Sequence, residues 1–249
     1  MNLRIEFHAE LDSTQRRAHE LVERGVTTWD AVCADHQTAG RGRQGAHWYD
    51  APNQSLLVSL ILREVPLPQP AGLLATFAAL ASAEALQHHY PALPLVQLKY
   101  PNDLILCQRK LGGVLAELVG QTAIVGIGVN IAQRAFPPAL REVAISVHQA
   151  LGDNSPFAQR GATLSRAERA RLIEAIHHRL WELLTAWQRE PDYLTRLWQE
   201  RDISVGRAYR VQDLAEQPIA TAIGIDADFR LRLRLPDGAT HATYFVSAV

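Results

Sequence analysis

Three glycines and two arginines crowd into one stretch of the chain, Gln37-Thr38-Ala39-Gly40-Arg41-Gly42-Arg43-Gln44-Gly45-Ala46-His47-Trp48. Glycine reaches positive φ and lets backbone N–H groups converge on a ligand. Arginine presents forked donors that match carboxylate and phosphate oxygens. The stretch therefore reads as a loop that closes over an anion. Its glycines also spell G-x-G-x-x-G, and a dinucleotide site would need a helix opening at the loop to hold the pyrophosphate. The loop runs instead into His47-Trp48-Tyr49-Asp50-Ala51-Pro52-Asn53, with a proline and no 3.6-residue apolar period. Glu64 lies at a suitable distance for a ribose-binding acid, but without that helix the nicotinamide reading fails.

Four further segments carry chemistry: Asp12-Ser13-Thr14-Gln15, Lys99-Tyr100-Pro101-Asn102-Asp103, Lys110-Leu111-Gly112-Gly113 and Gly126-Ile127-Gly128-Val129-Asn130. Singly each has a plain reading, a helix cap for the hydroxyls and ordinary turn chemistry for Asn-Asp. In this order and spacing the set resembles the biotin–protein ligases, whose hallmarks are G-R-G-R-x-G, a K-W-P-N-D segment, a K-L-x-G strand and G-x-G-x-N. The resemblance runs from about residue 5 to the C-terminus.

That resemblance implies an ATP-dependent enzyme, a biotin–[acetyl-CoA-carboxylase] ligase. It would activate biotin as biotinyl-5′-AMP and pass it to a lysine of a biotin carboxyl carrier protein. It places Ser13, Thr14, Gln15 and Gln37 at biotin, the first three at its ureido ring. Gly40, Arg41, Gly42, Arg43, Lys110 and Gly113 would line the same pocket. Biotin's carboxylate must attack an α-phosphate, so two anions meet and positive charge must lie between them. Lys110 is expected to supply it, with Arg43 as the second catalytic residue. Arg41, Arg43, Trp48, Asn102, Asp103, Lys110, Gly128 and Asn130 would contact the nucleotide, and Mg2+ would accompany ATP, with Asp103 as its ligand or water contact. The family usually has asparagine where Gln15 stands, and exchange between the two amides should be tolerated. It often has a further arginine where Ala46 stands. Two rivals carry over: a biotinyl-adenylate binding protein with weak or no transfer, suggested by Gln15 and Ala46, and a lipoate or octanoate transferase of the same fold, a family that lacks the G-R-G-R loop.

Of 25 basic residues only Lys99 and Lys110 are lysines, and both fall inside these motifs. A compact ammonium is not replaced by a planar guanidinium where a point charge is needed. The formal charge of −1 over 249 residues gives no support for a nucleic-acid or membrane partner. No apolar run has transmembrane length, so a cytoplasmic location is the default, and a homodimer is compatible with the sequence. Cys33 and Cys107 lie in apolar, strand-like runs and read as buried thiols.

Around the motifs, residues 3–11, 31–35 and 53–62 read as strands, with a helix from Asp12 or Ser13 through about Arg24. An alanine- and leucine-rich helix over 70–90 should cover one sheet face. Strands at 95–100, 104–107, 111–118 and 123–129 come next. Ser165 and Glu168 form a capping box before a helix through about Arg189, with a short helix near 193–200. Short alternating runs at 207–211, 219–226, 229–235 and 239–246 suggest a small barrel. The fold class is α+β: a mixed-sheet catalytic domain over 1–202, of the class II aminoacyl-tRNA synthetase and biotin ligase type, and an SH3-like β-barrel over 203–249. Catalytic motifs that begin at residue 12 resemble the family members without an N-terminal DNA-binding domain.

Overall fold

The computed structural model describes residues 3–158, 161 and 163–249. Strand β1 (Ile5–His8) leads through α1 (Thr14–Glu23) to β2 (Ala31–Ala34), and this crossover makes β1 and β2 parallel. Then come β3 (Ser55–Leu62), α2 (Leu73–His89), β4 (Gln97–Lys99), β5 (Asp103–Leu106), β6 (Arg109–Val119) and β7 (Thr122–Asn130). They complete a mixed seven-stranded sheet in the order β1-β2-β3-β7-β6-β5-β4. Every other neighbour pair in it is antiparallel.

All eight residues of β3 are buried, because both faces of the sheet are covered. On one face α1 sets Ala18 and Leu21 against Val32, Ile61 and Ile124. On the other lies α2, whose alanines allow close approach to α4 (Arg166–Trp187). The capping box that starts α4 is formed: the Ser165 hydroxyl accepts from Glu168 N–H, and the Glu168 carboxylate accepts from Ser165 N–H. Helix α3 (Val147–Leu151) has no counterpart among the expected elements. Its own capping box, Ser146 with Gln149, stands in a stretch without a clear apolar period.

After α5 (Pro191–Gln199), residues 201–203 hydrogen-bond along the free edge of β4 and carry the chain away. Strands β8 (Ala208–Val211), β9 (Ile219–Ile225), β10 (Leu231–Arg234), β11 (Thr240–Thr243) and β12 (Val246–Ala248) form a second, antiparallel sheet in the order β11-β10-β9-β8-β12. The run over 239–246, one strand by alternation, breaks at Tyr244-Phe245. Phe245 turns outward there, so β11 and β12 go to opposite edges. Among the described residues no pairing joins those edges, and the barrel expectation reduces to an open five-stranded sheet. This sheet merges with the main core through the β9–β10 turn, where the Phe229 ring meets Phe77, Trp187 and Trp198 at 5.4, 6.1 and 5.8 Å in edge-on contacts. Burial of one such ring stabilises by about 1.5–3 kcal/mol.

Two local expectations are corrected. Strand β5 stops at Leu106, so Cys107 lies in the β5–β6 turn with positive φ and is exposed; only Cys33 is a buried thiol. Ser13 occupies the N-cap position of α1, but its side chain makes no capping hydrogen bond.

Candidate active site

The motifs converge on one cleft of about 240 Å³. Its inner end is built where α1 begins beside the end of β2. Thr14 donates to Gln37 Oε1 from its N–H at 2.8 Å and from its hydroxyl at 3.1 Å. The Ser59 hydroxyl, reaching from β3, lies 2.9 Å from Thr14 Oγ1 and 3.0 Å from Gln15 Oε1. Gln15 Nε2 donates to Glu117 Oε2 at 2.9 Å and to the Ile124 carbonyl at 3.3 Å, while His19 Nε2 lies 2.8 Å from the same Glu117 oxygen. Burial would raise the Glu117 carboxyl, yet Gln15 and His19 hold it below the usual range. Both amide hydrogens of Gln15 thus have protein partners, so this residue shapes the pocket wall. Gly126 makes room for it, since a Cβ there would come within 2.6 Å of Gln15 Oε1.

The glycine-arginine loop folds back on itself. Gly42 N–H donates to Ala46 O at 2.7 Å and Trp48 N–H to Gly40 O at 2.9 Å, with a bridge between Arg41 and His47. The Gly42 N–H is therefore already occupied. The Trp48 indole lies flat against Gly128, where a Cβ would be 2.8 Å from its ring, and its buried Nε1 has no hydrogen-bond partner among the described residues. Arg43 pins the loop: Nη1 donates to Asn102 Oδ1 at 3.1 Å and Nη2 to the Val246 carbonyl of β12 at 3.2 Å. Burial lowers the Arg43 guanidinium from its ordinary value, and Asp103 opposes that shift. Arg41 is exposed at the rim.

The outer end of the cleft is cationic. The β4–β5 hairpin sets Lys99 opposite Asp103, and β6 brings Lys110 alongside. Lys99 Nζ lies 3.0 Å from Asp103 Oδ2, and Lys110 Nζ lies 2.6 Å from Oδ1. Burial would raise the Asp103 carboxyl; Lys110 and Lys99 outweigh it and hold the group below the ordinary carboxylate range. Gly113 lets Lys110 lie across the strand, as a Cβ would meet its Cε at 3.4 Å. The Lys110 backbone is tied to Val143 and Ile145. Asn102 Nδ2 donates to Val114 O at 2.5 Å, which fixes the turn.

Of the residues expected from sequence, Ser13, Thr14, Gln15, Gln37, Arg41, Gly42, Arg43, Trp48, Asn102, Asp103, Lys110, Gly113 and Gly128 line the cleft. Gly40 lies just behind it, against Trp48 and Gln37. Asn130 does not line it: its amide donates to the Ile145 carbonyl at 3.2 Å, bracing the strand pair that carries Lys110. Ser59, Tyr100, Ser247 and Ala248 also line the cleft, although no sequence expectation placed them there. Ser59 carries a signal, a polar residue inside an apolar strand; Ser247 and Ala248 carry none, since their role depends on how β12 docks.

A metal fits poorly at Asp103. Both of its oxygens face ammonium groups, and no cluster of three His, Cys, Asp or Glu side chains suited to a metal occurs among the described residues.

Comparison with known proteins places the chain in a family. The pattern of the Biotin/lipoate A/B protein ligase family matches residues 8–131. The bifunctional ligase/repressor BirA of Bacillus subtilis is 31% identical over 253 residues, covering 96% of this chain and 71% of that one. The biotin–[acetyl-CoA-carboxylase] ligase of Mycobacterium tuberculosis is 31% identical over 220 residues, covering 87% and 76%. In fold the chain is similar to the Aquifex aeolicus biotin protein ligase solved with biotin and ATP, with TM-score 0.73, 24% identity and coverage of 98% and 97%. The Leishmania major enzyme solved with biotinyl-5-AMP gives TM-score 0.64 at 26% identity, with coverage of 96% and 98%. The chain belongs to the biotin/lipoate A/B protein ligase family and, within it, to the biotin–protein ligases.

Proposed function

We propose that the cleft activates biotin with ATP as biotinyl-5′-AMP and transfers the biotinyl group to a lysine of a biotin carboxyl carrier protein. One observation carries the reading: a wall of amides and hydroxyls, at Thr14, Gln15, Gln37 and Ser59, opens directly toward a cationic end holding Arg43 and Lys110. A neutral, hydrogen-bonding head fits the first and two reacting anions fit the second.

In this reading the first step joins biotin's carboxylate oxygen to the α-phosphorus and releases pyrophosphate. Lys110 sits between the two anions as a point charge, and Arg43 fixes the loop over them by its bonds to Asn102 and β12. Trp48, held flat on Gly128, packs beside the nucleotide, with Asn102 and Asp103 in the adjoining turn. Arg41 guards the rim, with Gly40, Gly42 and Gly113 giving the backbone close approach. Asn130 acts through the Lys110 strand and not by contact. Magnesium would arrive on the triphosphate; neither step depends on its being held by Asp103. In the second step the carrier amine attacks the acyl carbon and AMP leaves. The mixed anhydride is already activated, so positioning suffices and no catalytic triad is required.

The same proposal divides the chain at 202/203, takes the open C-terminal sheet as an SH3-like module, and places the reaction in the cytoplasm. No helix among the described residues is long and apolar enough to cross a membrane. A homodimer is compatible with it, and no nucleic-acid partner is part of it. The test is a streptavidin blot of a carrier domain incubated with the protein, ATP and biotin. A band that needs both substrates is expected. Adenylate formation without a band would favour a binding protein, and transfer of lipoyl or octanoyl groups in preference to biotin would overturn the reading.

A further inference from the structure

The glycine-arginine loop leaves the sheet after β2 and returns to it at β3, and its two ends are held by different means. The entry is fixed by backbone bonds: Thr38 N–H donates to Leu11 O and Ala39 N–H to Asp12 O, both at 2.9 Å. The exit has no such ties. Among the described residues Tyr49, Asp50 and Pro52 make no backbone hydrogen bond, and Ala51 only accepts from Gln54. What holds the exit is the Asp50 side chain, 1% exposed, together with the Tyr49 ring, 6.4 Å from Phe136. Asp50 Oδ2 lies 2.9 Å from His36 Nδ1, and Gln37 N–H donates to both carboxylate oxygens at 3.4 Å. Asp50 thus ties the exit of the loop to its entry, 13 residues earlier in the chain. A buried carboxylate is costly unless its oxygens find donors, and burial pushes Asp50 above its ordinary value although His36 opposes the shift. Neither Asp50 nor His36 lines the cleft, so this costly group is not spent on the reactants.

We propose that Asp50, with His36, is a positioning residue: a clamp that closes the ends of the loop and sets Gln37 and Trp48 in place before biotin or ATP arrives. The clamp itself is a matter of loop geometry; its effect on biotin rests on the ligase reading. It acts in two directions. Asp50 holds the Gln37 backbone, and Gln37 Oε1 in turn accepts from both the N–H and the hydroxyl of Thr14. Two residues before Asp50, Trp48 closes the other side against Gly128. Gly40 lies between the two sides, where a Cβ would come within 2.9 Å of Trp48 O and 3.0 Å of Gln37 Nε2. Charged or neutral, the Asp50 carboxyl keeps an oxygen that accepts from Gln37 N–H, so the clamp does not depend on its titration. A loop ordered in advance spares the substrate the cost of ordering it. Where only a fraction of molecules hold the loop closed, apparent affinity falls by that fraction. Loss of the clamp therefore weakens binding and leaves the rate in the filled cleft intact.

Arg41 and Arg43 place two trypsin sites inside the loop, and a protease cuts a folded segment only as it opens locally. Limited trypsinolysis of the full chain, with fragments identified by mass spectrometry, reads the clamp without any ligase activity. Asp50→Ala should be cut after Arg41 and Arg43 about tenfold faster than the wild type, with cuts elsewhere unchanged. Asp50→Asn, which keeps the shape and one acceptor oxygen, should return to within about threefold of the wild type. In biotin-dependent pyrophosphate exchange, KM for biotin should rise about tenfold in Asp50→Ala while kcat stays within about twofold. Loop cleavage of Asp50→Ala at the wild-type rate overturns the clamp, and so does an equal rise at every arginine, which would mark general loosening. An asparagine variant as open as the alanine one overturns its hydrogen-bonded basis. A tenfold fall in kcat at unchanged KM, roughly the loss of one group from the chemistry, overturns the positioning role. Because Asp50→Ala can fail to fold, His36→Ala removes the half of the pair that is 26% exposed. About threefold faster loop cleavage is expected there, and a folded His36→Ala cut no faster overturns the proposal. A wild type without exchange refutes the ligase reading, while the cleavage rates still decide whether the clamp exists.

Discussion

Replacing Gln15 with asparagine shortens the side chain by one methylene, drawing the amide back by about 1.5 Å. The contacts it makes now are 3.0 Å to the Ser59 hydroxyl, 2.9 Å to Glu117 and 3.3 Å to the Ile124 carbonyl. All three would exceed hydrogen-bonding distance unless α1 moved inward, and Ala18 and Leu21 of that helix are packed against β2, β3 and β7. A neutral hydrogen bond contributes about 0.5–1.5 kcal/mol and one to a charged group about 1.5–3 kcal/mol. Loss of the Ser59 and Glu117 bonds therefore costs about 2–4 kcal/mol. For a chain of this size each kcal/mol moves the thermal midpoint by about 2–4 °C. Since the same network orients Thr14 and Ser59 in the cleft, biotin affinity should fall by tenfold or more, a change of about 1.4 kcal/mol. Thermal melts and calorimetric titration with biotin are the assays. The family resemblance alone argues the reverse, because asparagine is usual at this position. An asparagine variant with unchanged midpoint and affinity would show that the Gln15–Glu117 bridge has no energetic weight, and the reasoning from it would fail.

Lys110→Arg should abolish pyrophosphate release from ATP and biotin while leaving the melt unchanged; release at the wild-type rate by a folded variant would remove Lys110 from the chemistry. Ala46→Arg should slow escape of biotinyl-5′-AMP by roughly tenfold, the effect of one charge-assisted bond at the loop, measured by labelling of a bystander protein; equal labelling would show that the loop needs no further cation there. Asp103 and Glu117 have folded values below the ordinary range, so they contribute stability above about pH 4 that is lost as pH falls through those depressed values. The melting midpoint should therefore drop from pH 5 to pH 3, and the drop should shrink in Asp103→Asn; a midpoint that rises with acid would contradict both assignments.

The site is legible in the sequence where function constrains several residues at fixed spacing. The glycines and arginines from Gly40 to Arg43 read as an anion-binding loop by residue type, whereas Asn102, Asp103 and Lys110 are placed only by the family resemblance, and the cleft brings Arg41, Gly42, Arg43, Asn102, Asp103 and Lys110 together. What escapes the sequence is of two kinds. Some residues act through a partner far along the chain: Glu117 and His19 hold Gln15, and Val246 holds Arg43. Others are the right residue with the wrong role, as when Asn130 spends its amide on Ile145. The fold is similarly legible in its periodic elements, since the strands from β3 to β7 and both long helices follow their hydrophobic patterns. It is illegible at ends and edges. The break at Tyr244-Phe245 and the exposure of Cys107 depend on tertiary docking and positive-φ backbone, for which alternation of apolar residues carries no signal.

The central claim is that this cleft joins biotin to AMP, and biotin-dependent exchange of labelled pyrophosphate into ATP tests it most directly. The account predicts exchange by the wild type with biotin, none with lipoate or octanoate, and none by Lys110→Arg with any acid. Exchange supported by lipoate or octanoate in place of biotin, or exchange that survives loss of the Lys110 ammonium, would contradict it.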